Sequence, residues 1–335
     1  MIRYLLALLL VSAISPAAAV ETLKIATLAP EGSTWMREMR LAAAAAEKAT
    51  EGRVKIRFYP GGVMGNDVTV LRKIKLGQLQ GGAFTGSELS LVSKDAQLYS
   101  LPFLFRDRAE VDAVRATVDP LLFKTFDDAG WKVLNLSGVG FAYLMSSGPI
   151  AGGGDLVSRK VWVPQNDLMA ERVFRAGGVA PIPLPLPDVF TALQTGLIDT
   201  VGNTPSGAIA LQWHSKLRQV LDLPLSYVTG YVVVSGKSWQ KLEVADQTAV
   251  AEAFRASGER IDADNRRADA QALQALQGLG IKLVPADGGE AARWQAIGAD
   301  VTKQMSVAGE LSEAPLSALQ ALLEAHRAKP TGASH

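Results

Sequence analysis

The stretch "TLKIATLAPEGSTWMREMRLAAAAAEKATEGRVKIRFYPGG", Thr22 to Gly62, sets the architecture. Thr22 to Pro30 reads as a buried strand. Ser33 or Thr34 then caps a helix that ends before Gly52. The alanine run Ala42 to Ala46 belongs to that helix, because alanine has the highest helix propensity. Val54, Ile56 and Phe58 alternate with Lys55 and Arg57, which predicts a half-exposed strand stopped by Pro60 and two glycines. "DVTVLRKIKLGQL", from Asp67, returns to helical spacing, and "GGAFTGSEL", from Gly81, is a short strand or loop. This β-α-β-α order predicts an α/β sheet whose ligands lie beyond the strand ends.

Outward from there, Asp107 to Gly130 is helical, and "KVLNLSGVGFAYLMSS" supplies strand around a glycine-rich step. A second unit opens at Asp155. It holds a strand at Lys160 to Val163, a helix near Asp167 to Ala176, the rigid "PIPLPLP", and "DVFTALQTGLIDTVG". In the last of these Asp188 is placed to cap a helix with Val189, Ala192 and Leu193 on one face, Gly196 stops it, and a strand runs from Leu197 to Val201. After the strand "GYVVVSG", Ala245 to Leu279 reads as one helix with Val250, Phe254, Ser257 and Ile261 on a face and no proline. About 34 residues at 1.5 Å each would span roughly 50 Å, more than one small domain is wide, so the helix could brace two lobes. Two helices broken near Gly258 are the alternative.

The chain has 335 residues, enough for two domains, with 48% hydrophobic and 20% charged residues, a globular composition. The first nineteen residues, "MIRYLLALLLVSAISPAAA", carry Arg3, an apolar run from Tyr4 to Val11, and small residues at Ala17 and Ala19. This predicts a cleavable export signal, with Val20 opening the mature protein in the periplasm. A short membrane anchor is the alternative, but the apolar run falls short of the roughly 20 residues a span needs. The absence of cysteine excludes disulfides and a lipid-modified N-terminus. Without Arg3, basic and acidic residues balance at 33 each, so no field of one sign gathers nucleic acid or an anionic membrane.

Catalytic patterns are missing. The histidines are His214, His326 and His335, and the last two fall in a polar tail. There is no HExxH motif and no GxSxG elbow; "GVGFAY" lacks the third glycine of a dinucleotide loop. The scattered aromatics have no basic face beside them, which argues against single-strand nucleic-acid binding. No cofactor, no metal and no enzymatic activity is expected.

Five fragments in order resemble the solute-binding receptors of the tripartite ATP-independent periplasmic (TRAP) transporters. They are "LKIATLAPEGSTW", "FYPGGVMGND", "SLPFLFRDRAEV", "DLVSRKVWVP" and, most specifically, "PLPDVFTALQTGLIDTVGNTP". The resemblance covers nearly all of the mature chain. It implies an α/β, two-lobed periplasmic binding protein with mixed sheets, crossing strands and a long helix spanning both lobes. The solute is trapped between the lobes and delivered to the permease subunits of a TRAP transporter. On that basis residues 1–19 are the signal peptide, 20–141 with 228–267 form the first lobe, and 142–227 with 268–330 form the second. The partners are a small-molecule solute and a membrane permease, with no nucleic acid and no membrane insertion once the signal is cleaved.

The resemblance also marks a departure. In most such receptors the strand before the proline carries an arginine that grips a carboxylate of the solute; in "RKVWVPQND" the matching position is Trp162. A guanidinium forms a charge-assisted bidentate pair worth roughly 1.5–3 kcal/mol, whereas indole offers one N–H and an apolar face. Strand alternation sets Lys160 and Trp162 opposite Val161 and Val163. If Trp162 faces the cleft, its ring suits an apolar, aromatic or cationic solute, and a simple small carboxylate is not expected. The alternative is a core tryptophan, with an organic acid held by Arg159 or another cation.

Further ligand-binding candidates are Asn203, which follows the strand where the family places a polar contact, and Thr85 and Ser87 at a strand end with Gly86 between them. Glu31 and Trp35 lie beside the exit of the first strand, Phe141 stands near the lobe crossing with Tyr143, and Trp213 lies on an expected helix. Two other functions remain open at this point. One is an extracytoplasmic sensor that engages a receptor kinase, and the other is a lyase or isomerase with Asp188 or Asp199 as base.

Overall fold

The computed structural model describes residues 20–150 and 154–329, so the expected signal, residues 1–19, lies outside the described residues. The chain opens with β1 (Glu21–Thr27), α1 (Thr34–Ala49), β2 (Val54–Tyr59), α2 (Asp67–Lys75) and β3 (Gly81–Thr85). Ser33 caps α1 by accepting the Met36 N–H at 3.2 Å, and Gly52 follows with φ of 79°. Met36, Met39, Ala42 and Ala46 are buried at helical spacing against Leu23, Ile25, Val54 and Phe58. That shared apolar face, more than alanine propensity, holds the helix on the sheet.

The four-residue α3 (Gly86–Leu89) leaves β3 directly; a 3₁₀ turn, Lys94–Ser100, then leads to α4 (Arg108–Asp128), capped by Asp107. Next come β4 (Trp131–Ser146), β5 (Trp162–Pro164), α5 (Leu168–Ala176), β6 (Ile182–Leu184), α6 (Val189–Thr195), β7 (Thr200–Asn203) and α7 (Pro205–Ala210). The last third holds β8 (Gln219–Ser235), α8 (Gly236–Trp239), α9 (Val244–Gly278), β9 (Lys282–Pro285), α10 (Gly288–Val307) and α11 (Glu313–Arg327).

The main sheet runs β2-β1-β3-β8-β4-β7, with β9 also on β8, and mixes parallel and antiparallel pairs. The long strands β4 and β8 run antiparallel through both halves of the molecule. At one end β8 pairs with β3 (Gly230 to Val234). At the other, Tyr143 to Ser146 of β4 pair with β7, and Gln219 to Asp222 of β8 pair with β9. The two lobes are therefore two ends of one ladder, and β5 with β6 forms a small separate sheet in the second.

The ladder is broken in its middle. Register shifts fall between Gly138 and Gly140 and again around Tyr143, and Gly140 adopts a φ of 132° that favours glycine. The backbone groups of Gly138 are satisfied from α9: its N–H donates to Asp262 at 2.7 Å, and its carbonyl accepts from Asn265. Asp262 also pairs with Arg115 of α4. The point where the strand bends is thus clamped by the helix that crosses it.

That helix is continuous, with 35 residues and Val250, Phe254, Ser257 and Ile261 all buried. Gly258 does not break it. A side chain there would collide with Asn135 of β4, whose amide donates to the Phe254 carbonyl at 3.1 Å, so glycine permits the close crossing. At the end of the chain α11 returns to α4, where Arg327 forms two hydrogen bonds with the buried Glu110.

Several local features differ from the sequence reading. Asp188 makes no capping bond, because the 3₁₀ turn Leu186–Asp188 already brings the chain into α6 in helical conformation. Strand β8 begins eleven residues before "GYVVVSG", and Pro224 is tolerated because it sits at a register shift opposite Tyr143. Strand β7 starts at Thr200 and not at Leu197, which is 52% exposed. Trp213 lies in a 3₁₀ turn, Trp213–Ser215, and not on an α-helix. Alternation fails to separate the faces of the strand before Pro164, since Val161, Trp162 and Val163 are all buried.

Candidate functional site

A cavity of about 150 Å³ lies where the two lobes meet. The first lobe contributes the β3–α3 junction at Thr85, Gly86 and Ser87, and the loop residues Ser100, Pro102 and Phe103. The crossing strands contribute a floor of Ala142, Leu144, Leu221, Leu223 and Leu225. The second lobe closes it with Trp162, Met169, Val173, Phe174 and Trp294. The walls are mainly apolar, as small-molecule sites are, with a few fixed polar groups.

Those polar groups are bound mostly to one another. The Asp167 carboxylate, in the second lobe, is 6% exposed. Its Oδ1 accepts the Ala170 N–H at 3.0 Å, which caps α5, and the Gln97 side-chain N–H at 2.9 Å. Its Oδ2 accepts the Ser87 hydroxyl at 2.7 Å. Ser87 and Gln97 belong to the first lobe, so Asp167 ties the lobes together at the cavity wall. Thr85 donates its hydroxyl to Glu88, and its N–H reaches the same carboxylate oxygen at 3.0 Å. Ser100 donates to the Tyr227 carbonyl at 2.9 Å.

Trp162 is both wall and core. It is 4% exposed, its ring meets Trp213 edge-on at 5.3 Å between centroids and 82° between planes, and its N–H donates to the Leu184 carbonyl at 3.0 Å. The indole thus reaches the cavity with its one polar group already used. Among the described residues that line the cavity none is Arg, Lys or His. Arg159 does not reach it: the guanidinium donates to the Pro149 carbonyl and lies 3.9 Å from Asp199.

The other expected contacts fall as follows. Thr85 and Ser87 join Trp162 in the cavity wall. Asn203 is outside it, its side-chain oxygen accepting the Thr204 N–H at 2.7 Å, although the neighbouring Gly202 is in the wall. Glu31 is on the surface, paired with Arg40 at 2.6 Å, and Trp35 packs on the core beneath α1. Phe141 packs edge-on against Tyr227 at the strand crossing, at 5.2 Å, and Trp213 is buried behind Trp162. Asp199 accepts from the Lys160 N–H and the Thr200 hydroxyl, and neither it nor Asp188 lines the cavity.

Sequence reasoning missed Asp167, Phe103 and Trp294. Asp167 was legible as the start of a helix, and its place just beyond a strand end was the available signal for more. Phe103 carries no such signal. It is held at a φ of 55°, costing about 1–3 kcal/mol, by its N–H on the Leu225 carbonyl at 2.7 Å and by α10, where Gly298 leaves room for its ring.

A second, smaller space lies between the lobes, with Asn66, Asp67 and Glu88 on one side and Pro164, Gln165 and Leu186 on the other. Burial, with the nearby Glu88 charge, pushes the Asp67 carboxyl up to about 8. Burial likewise raises Glu88, opposed by the hydrogen bond from Thr85 and assisted by the charge of Asp167. Among the described residues no group of His, Asp or Glu is arranged to hold a metal ion, and no helix is long and apolar enough to cross a membrane.

Two lobes on a shared ladder, a bracing helix and a cavity lined from both sides define a solute-binding receptor of the two-lobed α/β class. Residues 25–308 match the family model of the bacterial extracellular solute-binding proteins, family 7, and the chain belongs to that family, the receptors of TRAP transporters. It is 24% identical over 289 residues to the sialic acid-binding periplasmic protein SiaP of Vibrio cholerae, covering 84% of this chain and 88% of that one. It is 24% identical over 237 residues to the C4-dicarboxylate-binding periplasmic protein DctP of Rhodobacter capsulatus, covering 70% and 71%. A TRAP periplasmic solute-binding protein from Desulfovibrio salexigens, solved with orotic acid, shares the fold with a TM-score of 0.82 at 21% identity, over 92% of this chain and 98% of that one. A Bordetella pertussis extracytoplasmic solute receptor that binds pyroglutamic acid gives 0.82 at 20%, over 91% and 100%.

Proposed function

We propose that the protein is exported to the periplasm, where it captures a compact, mainly apolar and non-anionic solute in the inter-lobe cavity and hands it to the permease subunits of a TRAP transporter. One observation carries the choice of solute: the described cavity wall has no cation and one fixed carboxylate, Asp167. An anion there would lose its hydration without gaining a counter-charge. The relatives named above bind organic acids, and the tryptophan at position 162 separates this chain from that chemistry.

The lobes are proposed to pivot at Phe141/Ala142 and Tyr227/Val228, the short paired stretch between the register shifts at Gly138/Gly140 and Ala142/Tyr143. The first lobe then comprises 20–141 and 228–267. Because α11 packs on α4, it rides with the first lobe, and the second lobe, 142–227 with the chain from 268, ends before it. Affinity comes from contacts made with both lobes at once, so solute selects the closed arrangement. No catalytic role is assigned to any residue.

A thermal-shift screen tests the proposal. A solute at 100 times its dissociation constant raises stability by about 2.7 kcal/mol. Shifts from neutral or cationic solutes are expected; if C4-dicarboxylates, 2-oxo acids and sugar acids give the only shifts, the cavity binds organic acids and the proposal fails.

A further inference from the structure

We infer that the solute carries a hydrogen-bond donor, best a protonated amine, and that the Asp167 carboxylate with the Ser87 hydroxyl oxygen receives it. This rests on the reading of the cavity as the solute site and adds the chemistry of the solute's head group.

The argument is one of hydrogen-bond polarity. Each hydroxyl has one proton to give. Thr85 gives its proton to Glu88, Ser87 to Asp167 and Ser100 to the Tyr227 carbonyl; Trp162 gives its N–H to the Leu184 carbonyl. With those protons turned into the protein, these groups present only lone pairs, or in the indole a ring, to the cavity. Among the described lining residues Ser226 alone keeps a hydroxyl proton uncommitted.

Asp167 shows where a donor fits. Its Oδ1 already takes two N–H groups, from Gln97 and Ala170, which fills both of that oxygen's lone-pair directions. Its Oδ2 takes only the Ser87 hydroxyl and keeps one direction open. Ser87 Oγ, with its proton spent, keeps an acceptor direction as well, apart from a long 3.5 Å approach by Gln97. Two adjacent acceptors, one of them on a carboxylate, suit a group with several N–H bonds. An ammonium supplies three, and its charge makes the bond to Asp167 a charge-assisted one. A carboxylate on the solute would meet oxygen lone pairs on the same atoms, with Glu88 behind them. The remaining wall, Leu144, Leu223, Leu225, Val173 and Phe174, takes the apolar body.

The test is isothermal titration of the purified mature protein with two bodies, n-butyl and benzyl, each carrying an ammonium, hydroxyl, trimethylammonium or carboxylate head. On the better body the ammonium is expected to bind at least tenfold more tightly than the alcohol. The trimethylammonium, a cation with no donor, is expected to bind at least tenfold more weakly than the ammonium. Asp167→Asn keeps the cap on α5 and is expected to reduce the ammonium-to-alcohol ratio tenfold or more. Ser87→Ala is expected to weaken both donors, and a melting curve without ligand checks that each variant is folded. Alcohol and ammonium binding equally, with Asp167→Asn without effect, overturns the inference and leaves the apolar, non-anionic reading standing. Preference for the carboxylate overturns both, and so does the absence of binding by every head on both bodies.

Discussion

Replacing Trp162 by phenylalanine tests whether the indole is held as the structure shows, by a shared core and one hydrogen bond. The change removes the N–H that reaches the Leu184 carbonyl at 3.0 Å and leaves that carbonyl with the Gln165 N–H alone, a loss of about 1 kcal/mol. It also removes the pyrrole half of a ring that is 4% exposed, which leaves a void beside Trp213 and costs about a further 1–2 kcal/mol in contact and transfer. The edge-on pairing with Trp213 survives in weaker form. The sum is a destabilisation of about 2–3 kcal/mol. In a chain of this length that lowers the melting temperature by roughly 3–5 °C. Urea unfolding followed by tryptophan-independent circular dichroism should show a lower midpoint with an unchanged slope. A fall of less than 1 °C, with the same midpoint, would mean that the N–H is not engaged and the ring not packed; Trp162 would then be free to donate to a solute, and the hydrogen-bond polarity assigned to the cavity would be wrong.

Other outcomes follow from the same coordinates. Trp162→Arg is expected to lower stability by about 3–5 kcal/mol, because the guanidinium would replace an indole packed among Trp213, Val189 and Leu193; soluble expression together with tight succinate binding would refute that placement. Gly258→Ala is expected to lose about 1–3 kcal/mol although alanine favours helix by about 1 kcal/mol, since the methyl group meets Asn135, and a gain in melting temperature would refute the close crossing. Arg327→Ala leaves the buried Glu110 carboxylate without its ion pair. Burial raises that carboxyl, the Arg327 bonds together with the Arg106 N–H and the two arginine charges hold it low, and a loss of about 3–5 kcal/mol is expected in denaturant titration. Asp67, raised to about 8, keeps its proton in the folded state between about pH 4 and 8 while the unfolded chain sheds it, so stability should fall as pH rises through that window. Asp67→Asn should flatten the decline and raise stability at pH 8 by at least about 1.4 kcal/mol, one unit's worth; a melting temperature that rises with pH equally in both proteins would contradict it.

Much of the scaffold was legible because it is written in local periodicity. The face of Val250, Phe254, Ser257 and Ile261 predicted the long helix, and its burial is what a helix crossing a sheet requires. The strands were less legible where the sheet is irregular. Nothing local announces that β8 starts at Gln219, because Pro224 interrupts the pattern and is excused only by a register shift set by its partner strand. The site was half legible for the same reason. Thr85 and Ser87 sit at a strand end, where an α/β sheet exposes ligands, and position 162 stood out only against a family pattern. Asn203 ends a strand just as plausibly, but its side-chain oxygen turns to the N–H of the next residue, Thr204, and leaves Gly202 to form the wall.

The same few bonds bear on why the lobes come together. Across the cavity wall they are joined by Ser87 and Gln97 on the Asp167 carboxylate, charge-assisted bonds worth about 1.5–3 kcal/mol each when sheltered and much less when water competes. The sheltering is supplied by the apolar walls, which come from both lobes. An empty cavity admits water, which competes for Asp167; a filled one excludes it and strengthens the bonds that hold the lobes together. A solute that also donates to Oδ2 would add its own bond while drying the others, so that recognition and closure draw on one carboxylate.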